Sequence, residues 1–275
     1  MIMVSILCLT YNHEKYIEDA LLSFVNQQTD FEFEVIVNDD ASSDGTAEIL
    51  KKYQKLYPSI IKPIFHDVNQ HSKGINNTIK YMIPKAKGKY IAFCEGDDYF
   101  IDNGKLQKQV DFLEEHSQCS LCIHNAYVVD VSKNVVGEIS SNAAGGFIPA
   151  STVIERGGGF ISTNSIMTRS EYLKNLPGFF RIMSNDFLWQ AYFAQFGETY
   201  CFPEKMSAYR KGVEGSWTSR MKSNPKELSL FYHKKSLVMK EFDEYTKRKY
   251  HKIIMSIYRD AVIRKYRFLI RSIFI

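Results

Sequence analysis

Gly88-Lys89-Tyr90-Ile91-Ala92-Phe93-Cys94-Glu95-Gly96-Asp97-Asp98-Tyr99 is the stretch whose reading decides the fold. Tyr90–Cys94 is a short apolar run, the pattern of a strand buried on both faces, and it breaks at once into an acidic turn. The same arrangement occurs upstream. Val4–Leu9 is a nearly continuous apolar run that ends in Thr10-Tyr11-Asn12, and Glu34–Val37 ends in Asn38-Asp39-Asp40. Ile60–His66 reads as one more strand. Between these runs the period changes: Ile17, Ala20, Leu21, Phe24 and Val25 recur at helical spacing, as do Ile49, Leu50, Tyr53 and Leu56. Further helices are expected over 75–83 and 105–116. Four β-to-α alternations with short links predict an α/β fold, a mostly parallel sheet flanked by helices on both faces.

In open α/β sheets, ligands bind outside the carboxyl ends of the strands. Here those ends carry Thr10, Tyr11 and Asn12, then Asp39 and Asp40, then Glu95, Asp97 and Asp98. Taken alone, Glu-Gly-Asp-Asp is a solvated turn that caps the next helix. Beside Asp39-Asp40 on one edge it means more, because clustered carboxylates repel unless a cation or ligand neutralises them. No G-x-G-x-x-G follows the first strand and no Walker lysine is present, which argues against a dinucleotide dehydrogenase or a P-loop enzyme. A diphosphate bridged to carboxylates by Mg²⁺ or Mn²⁺ fits the residues present.

The chain has 275 residues, 45% hydrophobic and 24% charged, so it can bury a core and is neither disordered nor collagen-like. No run of about 18 apolar residues exists to span a bilayer. Five scattered cysteines make no disulfide framework, and Met1–Thr10 shows no leader pattern, so a cytoplasmic location is expected. The net charge of +4 hides an asymmetry. From Lys222 to Ile275 stand 14 basic and five acidic residues, a net of +9, while residues 1–221 carry −5. That shift marks the most natural boundary, a domain over 1–221 and a basic helical tail over 222–275.

In the last helix of the tail, Ile254, Ile257/Tyr258, Ala261/Val262, Tyr266, Leu269 and Ile273 form one stripe. Lys252, Arg259, Arg264, Arg267 and Arg271 lie mostly opposite or on its flanks. Two readings stand. The helix meets an anionic membrane surface through residues 246–275, or it packs on the domain with a solvated basic face. Nucleic-acid-binding motifs are absent, so no nucleic-acid partner is expected. Cys119-x-x-Cys122 with His124 lies in a strand-like segment. There the odd spacing should place the two cysteines on opposite faces, and no second ligand pair follows, so a zinc site is not expected.

Taken in order, several segments resemble a known family. They are Val4-Ser5-Ile6-Leu7 with Thr10-Tyr11-Asn12-His13-Glu14, Val37-Asn38-Asp39-Asp40-Ala41-Ser42-Ser43-Asp44-Gly45-Thr46, and the 88–99 stretch, followed by Ser184-Asn185-Asp186 and Met206-Ser207-Ala208-Tyr209-Arg210. Together they look like inverting bacterial glycosyltransferases of family two, which have the GT-A fold and build O-antigen, capsule and related polysaccharides. The resemblance covers about residues 1–220. It implies a nucleotide-binding half over 1–98, an acceptor-binding half over 99–221, and a UDP-sugar donor. Thr10, Tyr11, Asn12 and Glu14 occupy the family's uridine-facing loop, and Asp40 matches the carboxylate that accepts from the uracil ring. Glu95-x-Asp97 stands where the family has its D-x-D motif, so Asp97 and Glu95 are the expected ligands of a divalent metal, Mn²⁺ or Mg²⁺. Glu95 departs from the usual aspartate.

Lys73 lies where a base- or phosphate-facing cation is often found, though it also reads as a solvated lysine at a helix start. Asp186 matches the family's catalytic base. Bottom-up, an Asp in a helix's first turn is ordinarily a stabiliser of that terminus. The acceptor side is expected to involve Gly157-Gly158-Gly159, Asn164 and Trp217, the last as a sugar-stacking residue, a cap on the nucleotide site or a packed loop anchor. A second departure follows Tyr209-Arg210: relatives often carry a histidine two residues on, where this chain has Gly212. Arg210 or Lys211 would then supply the charge toward the phosphates. The implied acceptor is a glycan or lipid-pyrophosphate-glycan at the inner face of the cell membrane. The rival expectation is a non-catalytic nucleotide-sugar-binding subunit of a polysaccharide assembly.

Overall fold

The structure, a computed structural model, describes residues 1–215, 221 and 224–273. Strands β1 (Ile2–Thr10), β2 (Glu32–Asp39), β3 (Ile61–Phe65) and β4 (Tyr90–Phe93) pair in parallel in the order β3-β2-β1-β4. Helices α1 (Ile17–Val25) and α2 (Thr46–Leu56) make the first two crossovers. The sheet is extended by β5 (Tyr99–Phe100), β6 (Cys119–Val129), β9 (Met167–Arg169) and β10 (Glu198–Arg210) in the order β4-β9-β6-β10-β5. Only β9 and β5 run antiparallel in that path. Short strands β7 (Val135–Ile139) and β8 (Gly146–Ile148) attach at β6 and β10. The expected mixed, mostly parallel α/β sheet is therefore present.

Helices cover both faces, because every central strand is apolar on both sides. On one face Ile6, Cys8, Val35 and Tyr90 pack with Leu21 and Phe24 of α1, Leu50 of α2, and Leu106 and Val110 of α3 (Lys105–Glu115). On the other, Leu7, Ile36, Ile91 and Leu121 pack with Val153 of α4 (Ala150–Arg156) and with Phe187, Leu188 and Trp189 of α5 (Asp186–Ala194). The basic segment forms a hairpin of α6 (Pro225–Tyr245) and α7 (His251–Arg271). Val238, Met239, Phe242 and Ile254 of this hairpin belong to the same buried cluster as Trp189. Its first half is thus built into the domain.

Two expectations are corrected. Residues 75–83 form no regular α-helix: a π-helical turn at Thr78–Met82 runs into a 3₁₀ turn at Ile83–Lys85. Pro84 lacks the N–H that a continuing helix needs, and the Asn76 side chain takes the N–H of Ile79 at 2.8 Å. The second concerns Cys119 and Cys122. They lie on the same side of the sheet, since a register shift in β6 opposes Cys119 to Glu198 and Leu121 to Thr199, breaking the alternation at Ser120. Both thiols belong to the buried apolar cluster on that face.

Candidate active site

The carboxyl ends of β1, β2 and β4 lie side by side, with Thr10 opposite Asp39 and Leu7 opposite Phe93. The loops after β1 and β2 are laced together by side chains. Asn12 adopts a left-handed backbone (φ +55°); its amide oxygen accepts from the Ser43 N–H at 2.8 Å, and its own N–H donates to Ser42 Oγ at 2.9 Å. Glu14 accepts from the Gly45 N–H at 3.1 Å, while the Glu14 N–H donates to Asp44 at 3.0 Å. Gly45 lets the Glu14 carboxylate lie close over it, since a Cβ there would come within 2.9 Å of the Glu14 carboxyl carbon and push that side chain aside. Of the four residues expected to face uridine, Asn12 and Glu14 thus spend side-chain hydrogen bonds on the loop itself. Tyr11 presents an exposed ring, and Thr10 Oγ1 is buried without a partner, against Gly96 of the acidic turn.

Asp40 is buried, and its two oxygens accept from the N–H groups of Gln70 and His71 at 2.7 and 3.0 Å. The segment ending at Lys73 therefore closes over Asp40. Lys73 itself is exposed and ends a 3₁₀ turn. Asp39 accepts from the Ser42 hydroxyl, and burial holds its carboxyl above the usual range.

The acidic turn divides its work. Asp98 is buried; it accepts from the Arg210 N–H at 2.8 Å and from the Asn164 amide at 3.0 Å, and burial with the charge of Asp97 raises its pKa well above the usual value. It bolts the turn to the second half of the domain. Asp97 instead looks across to His13, whose Nε2 lies 4.0 Å from its carboxylate. Glu95 reaches solvent but is deeply enclosed, as a side chain lining a cleft would be. That enclosure, then the charges of Asp97 and Asp186, pushes its carboxyl up to about 8. Asp186 opens α5 behind the cap Asn185, whose side chain accepts from the Leu188 N–H at 3.1 Å. Enclosure raises the Asp186 pKa, opposed by a hydrogen bond with Thr163. Glu95 and Asp97 on the turn after β4 and Asp186 at the start of α5 thus lie near enough for the charges of Asp97 and Asp186 to act on Glu95.

Two residues escaped the sequence reading. His13 was part of a quoted motif without a role; burial lowers its pKa, so it is neutral opposite Asp97. Tyr209 is pushed up to about 12 by burial and then by the charges of Asp98, Asp97, Glu95 and Asp186, so its phenol lies within reach of their field. Its position in the Met206–Arg210 motif was the available signal.

Other expectations are revised by position. Asn164 is fully buried, with its amide donating to Asp98 and Ala208 and its oxygen accepting from the hydroxyls of Ser162 and Ser207, so it braces the site and faces no acceptor. Arg210 is buried between the rings of Tyr16 and Tyr99, and its guanidinium donates to Asp19 at 2.8 Å; it is a clamp between α1 and β10 in place of a phosphate ligand. Gly212, at the family's histidine position, has φ +88°, a conformation that favours glycine. Trp217 lies outside the described residues.

Whether this cleft suits a divalent metal can be judged from its donors. Glu95 and Asp97 are hard oxygen ligands held close enough to raise the Glu95 pKa. They do not make a closed cage, which matches a cation that shares its coordination with substrate phosphates. The residues fit.

The profile of the family described as "Glycosyl transferase family 2" matches residues 5–213. An uncharacterised protein of Mycobacterium tuberculosis is 34% identical over 217 residues, which is 78% of this chain but only 61% of that relative's length. The putative teichuronic acid biosynthesis glycosyltransferase TuaG of Bacillus subtilis is 34% identical over 115 residues, 42% of this chain and 43% of its own. Among solved structures, Staphylococcus aureus TarS 1–349 in complex with UDP-GlcNAc superposes with a TM-score of 0.70 at 21% identity, covering 97% of this chain and 73% of that one. The mannosyltransferase PcManGT of Pyrobaculum calidifontis, in complex with GDP-Man and Mn²⁺, does so with a TM-score of 0.60 at 15% identity, covering 95% and 73%. Those likenesses establish the GT-A fold, and the profile match over most of the chain establishes the rest: this protein belongs to glycosyl transferase family 2.

Proposed function

We propose that the chain transfers a sugar, with inversion, from a UDP-sugar to a hydroxyl of a glycan or lipid-pyrophosphate-glycan during surface-polysaccharide synthesis. The work would take place at the inner face of the cell membrane, with the basic C-terminal segment toward anionic lipid. What supports this reading is the acidic turn at the carboxyl end of β4, where the charges of Asp97 and of Asp186 at the start of α5 both bear on Glu95. Three carboxylates kept together against their mutual repulsion call for a cation and a proton to manage.

Asp97 and Glu95 would hold Mn²⁺ or Mg²⁺, which when bound supplies positive charge to the departing diphosphate. Asp186 takes the proton from the acceptor hydroxyl as that oxygen attacks the anomeric carbon. Its raised pKa suits the task, since a base works best when its pKa approaches the working pH. Thr163 holds the carboxylate by a hydrogen bond. Thr10, Tyr11 and Asp40 would receive the nucleoside, with the Tyr11 ring available for stacking. Asp98, Asn164 and Arg210 keep the two halves of the site in register.

A panel of nucleotide-sugars with Mn²⁺, read by thermal shift and by UDP release, tests the reading. One UDP-sugar should stabilise the protein and release UDP. Silence toward every donor would favour a scaffold subunit.

A further inference from the structure

The helix α7 changes character along its length. Its first half belongs to the core: Ile254 and Ala261 are fully buried, and α7 packs on both α6 and α4. Beyond Ala261 the outward face turns apolar. Ile263 (59% exposed), Tyr266 (54%), Ile270 (56%) and Ile273 (72%) recur at i, i+3, i+7 and i+10, so they form one stripe on the side away from the core. The stripe anticipated from sequence shares Tyr266 and Ile273 with this one, but its first half, through Ile254 and Ala261, is buried inside the protein. Arg259, Arg267 and Arg271 are exposed beside the outer stripe. From His251 to Arg271 six cations face one acid, Asp260, which Arg264 already occupies at 2.9 Å.

We propose that this outer face of α7 lies on an anionic lipid bilayer, with the Ile263–Ile273 stripe in the boundary between headgroups and acyl chains and the arginines on lipid phosphates. Apolar side chains flanked by arginine are what an interfacial helix needs, and among the described residues no helix is long and apolar enough to cross a membrane. Charge complementarity selects this occupant over a second copy of the chain, since two such faces brought together would oppose like charges. The inference rests on the reading of a lipid-linked acceptor and deepens it. The inner side of the hairpin touches the catalytic helix: Lys235 Nζ on α6 lies 4.5 Å from the ring centre of Phe187, next to Asp186. With helices packed 8–10 Å apart, a bilayer under α7 would lie roughly 20 Å from the proposed base.

Sedimentation of the full chain with vesicles of phosphatidylglycerol and phosphatidylcholine, at low salt and without donor or acceptor, tests the proposal. Binding is expected, with none to phosphatidylcholine alone. Arg259→Ala/Arg267→Ala/Arg271→Ala should weaken it about a hundredfold, and Ile263→Ser/Ile270→Ser at least about a hundredfold. Every substituted side chain is exposed, and a UDP thermal shift equal to that of the wild type would show that each variant keeps its fold and its nucleotide site. Failure of membrane docking is thereby separated from failure of the transferase reading. The proposal is overturned by absence of binding at low salt, or by a stripe variant that binds as the wild type does. It is equally overturned by a dimer in sedimentation velocity that Ile263→Ser/Ile270→Ser dissolves.

Discussion

The acidic edge of the sheet and the basic hairpin each gather charge of one sign, under opposite conditions. Around the acidic turn Asp98 is buried and Asp97 half-buried, Glu95 and Asp186 keep a face in solvent, and the surrounding protein with the charges of Asp97 and Asp186 pushes Glu95 up to about 8. The hairpin's arginines at 259, 267 and 271 stand in solvent. Solvated charges are held at little cost, because water and salt screen them. Enclosed like charges are costly, and a fold that keeps them has a ligand in view. The same contrast runs through a single dipeptide. Asp98 is hydrogen-bonded to Asn164 and to the Arg210 N–H, whereas among the described residues Asp97 faces a histidine 4.0 Å away. The bonded one braces the fold, and the other is the one proposed to hold the metal.

The contrast can be attacked from its strongest point downward. Asp186→Asn should reduce transfer by about 10²- to 10⁴-fold, the usual worth of a general base, and leave UDP affinity intact. Near-wild-type transfer in a sugar-release assay would remove Asp186 from the mechanism. In the hairpin, Ile254→Ala should cost about 2–5 kcal/mol of stability, as buried truncations do. Ile263→Ala on the outer stripe should change it by no more than about 0.5 kcal/mol. Equal losses in denaturant unfolding would mean that the outer stripe is also core. Asn164→Ala strips partners from Asp98, Ala208 and two serines and should cost about 1–3 kcal/mol; a change within measurement error would return Asn164 to the acceptor side.

A further effect concerns pH. In the folded protein the Glu95 carboxyl is raised to about 8 from its ordinary value of 4.5. A raised carboxyl contributes stability that is complete below the unfolded value and lost as pH rises through the folded one. Without metal or donor, the wild type should therefore lose stability between about pH 4.5 and 8 relative to Glu95→Gln. Melting temperatures of the two proteins across that window give the answer, and parallel curves would show that Glu95 is not enclosed with Asp97 and Asp186.

Much of this was legible in the sequence, for a physical reason. Buried parallel strands are runs of apolar residues, and ligand residues sit at their carboxyl ends, so β1, β2 and β4 announced both the fold and the acidic edge. Asp186 as the proposed base rests on family resemblance, since its local pattern is that of an ordinary helix start. What escaped depends on tertiary contact. Nothing local distinguishes Asp97 from Asp98, and only the arrival of Asn164 and β10 does so. Arg210 looked free until Asp19, Tyr16 and Tyr99 enclosed it. The shift at Ser120 that realigned Cys119 with Cys122 follows from pairing with β10, which no alternation rule could foresee. The hairpin's division into core and outer stripe likewise depended on where α4 and α6 meet α7.

The central claim is that the enclosed carboxylates form a metal-assisted diphosphate site, and calorimetric titration of UDP into the wild type and Asp97→Asn, each with Mn²⁺ and with EDTA, tests it most directly. The account requires Mn²⁺-dependent binding in the wild type that is lost in EDTA and in Asp97→Asn. UDP binding of equal strength in all four titrations would contradict it.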